Sequence, residues 1–202
     1  MSVLDNAAVC RFHNARVQKF GVSSVESLGW RTEKSQFIRF KALAEIGDMT
    51  DCSVMDIGCG HGDLYPYLDS LYAGVRYFGI DQMSTFLDIA VGQSIESVGS
   101  ATFFHGDFAT AVLPNTDYVL ASGALNYPNS EPDFIFQIIN KLFSDCRIGF
   151  AFNLLSKVEA HNDFLTAYNP QLILTYCQTL SIKVGLRQDY LADDFTIYMY
   201  KI

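Results

Sequence analysis

Residues 53–63 read SVMDIGCGHGD, an apolar run closed by an acid and then glycine at every second position, Gly58, Gly60 and Gly62. Glycine loses more backbone entropy on folding than any other residue, so three in a row of alternate positions must serve a conformation or a close approach that a side chain would block. A short apolar run that breaks into such a loop and then enters GDLYPYLDSLYAG reads as strand, glycine turn and helix. That unit begins a parallel α/β sheet, whose ligands bind outside the carboxyl ends of the strands.

The rest of the chain repeats the alternation. VRYFGID, ATFFHGD, DYVLASGALNY and RIGFAFNLL read as further strands, while STFLDIAVGQS, EPDFIFQIINKLFSDC and NPQLILTYCQTL read as helices. SIKVGLRQDYLADDFTIYMYK supplies two last strands joined by a short connection, which must pair antiparallel. The central strands are apolar on both faces, which requires helices on both sides. The expected fold is therefore α/β, a doubly wound, mostly parallel seven-stranded sheet with an antiparallel C-terminal edge hairpin. Before the glycine loop, TEKSQFIRFKALAEIGD spaces Phe37, Phe40, Leu43, Ala44 and Ile46 as a helix, with Thr32 as its cap. The first 30 residues carry no clear period, and FGVSSVESLGW reads as ordered but irregular. No interior stretch reads as a linker, so residues 1–202 are expected to form one domain, with 1–48 a cap or lid and helix, and 49–202 the core.

Composition narrows the function. The net charge of −8 argues against a nucleic-acid partner, whose phosphates demand a basic surface. The charge is uneven, with +4 over residues 1–41 and −12 over the remainder, so the N-terminal segment is either a solvated basic face or one that meets an anion. No stretch has the length and apolarity of a membrane span, and MSVLDNAAVCRFHNARVQ lacks the apolar core of a signal peptide. Five scattered cysteines with no C-x-x-C pair read as reduced thiols in a cytoplasmic protein, without a metal site. The oligomeric state has no signature in the sequence.

Spacing then separates the ligands that such a loop can hold. A triphosphate loop needs G-x-x-x-x-G-K-[ST], and no Lys-Ser/Thr pair follows here. A dinucleotide loop needs a glycine three positions after Gly60, where the chain has Asp63. Asp56, two residues before the first glycine, would repel a pyrophosphate and suits a ligand with ammonium or hydroxyl donors.

DIGCGHGDL resembles motif I of the Rossmann-like S-adenosylmethionine-dependent methyltransferases, and three later landmarks follow in order over residues 50–202. The resemblance implies S-adenosyl-L-methionine as methyl donor. It implies that Asp56, Gly58, Cys59 and Gly60 meet the methionine end, and that Asp81 of YFGID holds the ribose hydroxyls. Gln82 and Met83 then cover the adenine, Asp107 and Phe108 of HGDF bind it, and Ser122 and Gly123 of LASGALNY flank the reactive methyl. Met83 has core packing as its alternative.

For the acceptor the sequence offers candidates only. Arg39, among Phe37, Ile38 and Phe40, is read as a clamp on the methionine carboxylate, against a surface arginine. Trp30, Asn126 and Asn153 are candidate substrate contacts, and His161 with Asn126 and Tyr127 the candidate catalytic groups, His161 as a general base. Ala124-Leu125-Asn126-Tyr127-Pro128 lacks the paired prolines of amino-methylating nucleic-acid enzymes. The expected activity is in-line methyl transfer to oxygen or nitrogen of a small molecule, with a non-catalytic binding subunit or a protein or RNA methyltransferase as alternatives.

Overall fold

The structure, a computed structural model, describes residues 2–94, 100–159 and 164–201. Its elements in chain order are α1 (Val3–Phe20), α2 (Glu33–Ala44), β1 (Ser53–Ile57), α3 (Leu64–Asp69), β2 (Arg76–Asp81), α4 (Ser84–Ser94) and β3 (Ser100–His105). There follow β4 (Thr116–Ala121), α5 (Phe134–Ser144), β5 (Cys146–Leu155), α6 (Pro170–Leu180), β6 (Val184–Arg187) and β7 (Asp194–Tyr200). The strands form one sheet in the order β3-β2-β1-β4-β5-β7-β6. β1 to β5 pair in parallel, and β7 pairs antiparallel with both β5 and β6. The expected α/β sheet with its antiparallel edge is thus what forms, and the last strand lies inside the hairpin's edge position, between β5 and β6.

Alternation along the strands sorts the core into two layers. Met55 and Ile57 of β1, Val119 of β4 and Phe150 and Phe152 of β5 pack with Ile138, Ile139 and Leu142 of α5 and Ile173 of α6. Val54 of β1, Leu120 of β4 and Tyr198 of β7 face the other way, against Leu43 of α2 and Leu64 and Leu68 of α3. Each strand contributes to both layers because its side chains alternate with period two. Burial of that much apolar surface on both faces is what holds the sheet between its helices.

Helix ends follow the local chemistry. Thr32 caps α2 through the Ser35 N–H, as expected, and Asn169 caps α6 with Pro170 in the first turn. α3 is shorter than GDLYPYLDSLYAG implies and stops at Asp69. β4 stops at Ala121, so Ser122 to Tyr127 form a turn rather than the continuation of the strand. Residues 3–20, which the sequence leaves untyped, form the helix α1, closed at its start by a reciprocal Ser2–Asp5 capping box. α1 lies over the carboxyl ends of the strands. Asn6 donates to Asp107 at 2.8 Å, and Asp5 accepts from Ser130.

Candidate active site

The sheet order reverses at β1, whose neighbours β2 and β4 carry the chain in opposite directions across the sheet. Over this point, at the carboxyl ends of β1 to β5, lies a cavity of about 610 Å³, within the usual range of about 300–1,000 Å³ for small-molecule sites. Its floor comes from the loops after the strands, and its roof from α1, the turn segment around Leu28 to Arg31, and α2.

The glycine loop supplies the floor. Gly58, Gly60 and Gly62 all have positive φ, at 67°, 55° and 75°, the region that glycine enters without strain. At Gly58 a Cβ would lie 2.6 Å from the Cβ of Ala124, so the β1 and β4 turns approach as closely as glycine allows. The loop is pinned to β2: Gly58 and Cys59 donate to the Ile80 carbonyl at 2.9 and 3.1 Å, and Gly60 N–H donates to Asp81 at 2.9 Å. The other Asp81 oxygen accepts from Met83 N–H at 2.8 Å. Each carboxylate oxygen can accept a second bond, so Asp81 is oriented but not saturated. Burial raises its pKa, against the pull of those N–H donors.

Asp56 is the group most out of balance. It is 2% exposed, one oxygen accepts the Tyr77 hydroxyl, and Oδ1 is buried with no partner among the described residues. Burial raises its pKa to about 7, opposed by Tyr77 and reinforced by Asp81 and Asp63. An unpaired buried carboxylate oxygen in a cavity wall fits a cationic donor. The residues present therefore fit the methionine ammonium of S-adenosylmethionine, with Asp81 in the same wall to accept from ribose hydroxyls.

Of the other expected cofactor contacts, Cys59, Gln82, Asp107, Phe108, Ser122 and Gly123 line the cavity. Burial pushes the Cys59 thiol well above its usual range, so it is a neutral part of the wall. Met83 is buried and is not part of the wall, and its N–H holds Asp81. Arg39 also lines the cavity and is 8% exposed, which removes the surface reading. Its Nε donates to Asp194 at 2.6 Å, its Nη1 to the Ser35 carbonyl, and its guanidinium lies 5.0 Å from the Trp30 ring centre. A protein carboxylate thus already meets the charge that a carboxylate clamp would use.

The acceptor candidates divide in the same way. Trp30 walls the cavity and packs on Gly123, where a Cβ would come within 2.6 Å of the indole. Asn126 lines it too, but Oδ1 accepts from Leu155 N–H at 2.8 Å and Nδ2 reaches the Gly123 carbonyl, so its amide ties the β4 turn to β5. Asn153 accepts from Gly123 N–H at 2.9 Å and so braces that turn, is not itself in the wall, and has a buried Nδ2 with no partner among the described residues. His161 lies outside the described residues. Tyr127 lines the cavity and bonds to His13, a residue that no sequence motif singles out. His13 stands in an untyped segment far from every landmark, and no local pattern marks it.

Comparison with known proteins agrees with this geometry. Residues 54–144 match a methyltransferase-domain family model. Rv1506c of Mycobacterium tuberculosis (strain ATCC 25618 / H37Rv), which carries a provisional methyltransferase name, is 31% identical over 158 residues, covering 74% of this chain and 93% of that protein. Among solved structures, magnesium protoporphyrin IX methyltransferase from Synechocystis PCC 6803 with bound S-adenosylhomocysteine shares the fold at a TM-score of 0.66 and 16% identity, covering 84% of this chain and 83% of its own. A SAM-dependent methyltransferase from Aquifex aeolicus matches at a TM-score of 0.66 and 16% identity, over 91% of this chain and 100% of its own. With that identity and coverage on this fold, the chain belongs to the Rossmann-like S-adenosylmethionine-dependent methyltransferases.

Proposed function

We propose that this methyltransferase acts on a small-molecule acceptor, at oxygen or nitrogen. The observation that carries the reading is the roof. α1 and the segment around Trp30 close over the strand ends, so the acceptor shares one cavity of about 610 Å³ with the donor. Beyond the donor contacts the cavity is bounded by Phe12, Trp30, Tyr127, Leu155, Leu165 and Leu191, with Arg16, Arg31, Lys157, Glu159 and Asp193 beside them, an enclosed mixed wall that suits a compact organic molecule better than a polymer. The net charge of −8 agrees with this choice.

S-adenosylmethionine, when bound, supplies a methyl group on a sulfonium, and the departing bond leaves its electron pair on sulfur. In this reading Asp56 holds the ammonium, Asp81 the ribose hydroxyls, and Asp107 with Phe108 and Gln82 the adenine. Gly58, Gly60, Ser122 and Gly123 let the backbone lie along the methionine chain. The protein's remaining task is alignment and exclusion of water, which converts a slow bimolecular displacement into a unimolecular one.

The test works while the acceptor is still unidentified. Cell extract is split by ultrafiltration into low-mass and macromolecular fractions, and each is incubated with protein and methyl-labelled S-adenosylmethionine. Label is expected in the low-mass fraction. Label confined to acid-precipitable RNA or protein would overturn the reading.

A further inference from the structure

α1 brings to the cavity wall two groups that donor binding does not use, His13 and Arg16, beside Phe12. The His13 ring sits between the Ser27 carbonyl, 2.9 Å from Nδ1, and the Tyr127 hydroxyl, 2.8 Å from Nε2. A carbonyl oxygen only accepts, so in the neutral ring the proton is on Nδ1 and Nε2 is bare. Tyr127 therefore donates to His13, and the phenol oxygen keeps its lone pairs for a second donor. Both residues line the cavity, so that donor can be a bound molecule.

The surroundings are aromatic. Phe12 stacks on Phe164 with ring centres 4.5 Å apart and planes at 18°, and Tyr127 lies against both rings. Phe86 of α4 meets His13 edge-on at 5.3 Å. The Arg16 guanidinium lies over Phe12 at 5.4 Å, its Nε held by the Glu26 carbonyl, and among the described residues no carboxylate pairs with it.

We propose that the acceptor is a hydroxylated aromatic, and that Tyr127 takes its hydroxyl proton while passing its own to Nε2 of His13. This rests on the small-molecule reading and names its substrate class. The step balances: the acceptor oxygen forms the bond to the methyl carbon, the carbon–sulfur bond breaks with its electrons on sulfur, the acceptor's hydroxyl proton moves to the Tyr127 oxygen, and the original Tyr127 proton moves to His13 Nε2. One positive charge leaves sulfur and one appears on imidazole, so the net charge of the closed cavity is unchanged. Imidazolium then returns its proton to water.

The charges around the pair favour transfer in one motion over prior ionisation. Burial and then Asp81 raise the Tyr127 pKa, with Arg16 opposing, so free tyrosinate is disfavoured. Burial lowers the His13 pKa and Arg16 adds to this, against the Ser27 carbonyl, so Nε2 stays bare at neutral pH. Tyr127 is thus the group placed against the acceptor, and His13 a positioning residue that acts through it.

The test uses 4-nitrophenol, whose phenolate has a visible absorbance band, with protein saturated in S-adenosylhomocysteine. Wild-type protein is expected to bind the probe as neutral phenol, without the band, at pH values where free probe is already ionised. Tyr127→Phe should bind the neutral probe more weakly, with unchanged S-adenosylhomocysteine affinity by calorimetry as the control for folding. In turnover with methyl-labelled donor and a panel of catechol, 4-nitrophenol and aniline, the phenols should be methylated. Tyr127→Phe should then lower kcat by about 10²–10⁴-fold with little change in KM for the donor. His13→Gln should remove the acid limb of the kcat–pH profile. Probe bound as phenolate, an undiminished Tyr127→Phe rate, transfer to aniline alone, or no methylated phenol from protein that binds S-adenosylhomocysteine would each overturn the proposal. Label confined to macromolecules in the extract experiment would instead overturn the small-molecule reading beneath it.

Discussion

Asp81 joins three jobs in one side chain. It fixes the glycine loop through Gly60 N–H, fixes its own following turn through Met83 N–H, and still presents lone pairs to the cavity. Replacing it with alanine frees two buried N–H groups and removes charge-assisted bonds to the ligand. Asp81→Ala is expected to weaken S-adenosylhomocysteine binding by at least about 1.5 kcal/mol, read by calorimetry. An unchanged affinity would remove the ribose role. Asp81 and Asp56 are legible in the sequence because an acid at the end of an apolar strand is a local anomaly. His13 is not, because its meaning depends on Tyr127, 114 residues away, and on a helix with no clear apolar period.

At the scale of elements, α2 is tied to β7 by a single buried charge pair. Arg39 and Asp194 have side chains 10% and 1% exposed, and Tyr190 donates to the other Asp194 oxygen. Breaking such a pair from one side strands the remaining charge. Arg39→Met is expected to destabilise the protein by about 3–5 kcal/mol in urea unfolding, and adding Asp194→Asn should recover much of that loss. A single variant as stable as the parent would show that the pair contributes nothing. α2 is legible from its Thr32 cap and regular apolar spacing. α1 is less so: Val3 and Leu4 point to solvent at 85% and 79% exposure, while His13 and Asn6 make docking contacts. Its one available signal is the Ser2–Asp5 capping pair. The end of β4 is misjudged from sequence for a related reason, since SGALNY is apolar enough for a strand, yet Gly123 at φ 72° turns the chain beneath Trp30.

For the whole molecule, the buried acid at the centre of the sheet couples stability to pH. The folded-state pKa of Asp56 is raised from 3.8 to about 7, so between those values the folded protein binds the extra proton. Its stabilising effect is full below about pH 4 and is lost as pH rises through 7, on the order of 4 kcal/mol in all. Asp56→Asn should therefore match the parent near pH 4 and exceed it in unfolding free energy by a margin that grows toward pH 8. Saturating S-adenosylhomocysteine should stabilise the parent increasingly over the same range, because its ammonium favours the ionised acid. A margin independent of pH would show that Asp56 is not the titrating group. The overall sheet is legible because alternating apolar strands and helices admit few topologies, but the seating of the last strand has a consequence for synthesis. β7 leaves the ribosome after both β5 and β6, yet it fills the place between them. Until it arrives, the nascent chain presents the open edge of β5, a ten-residue strand with Phe150, Phe152 and Leu154 fully buried in the finished sheet. Chains stalled or truncated before Asp194 thus carry a sticky hydrogen-bonding edge that pairing with β7 later removes.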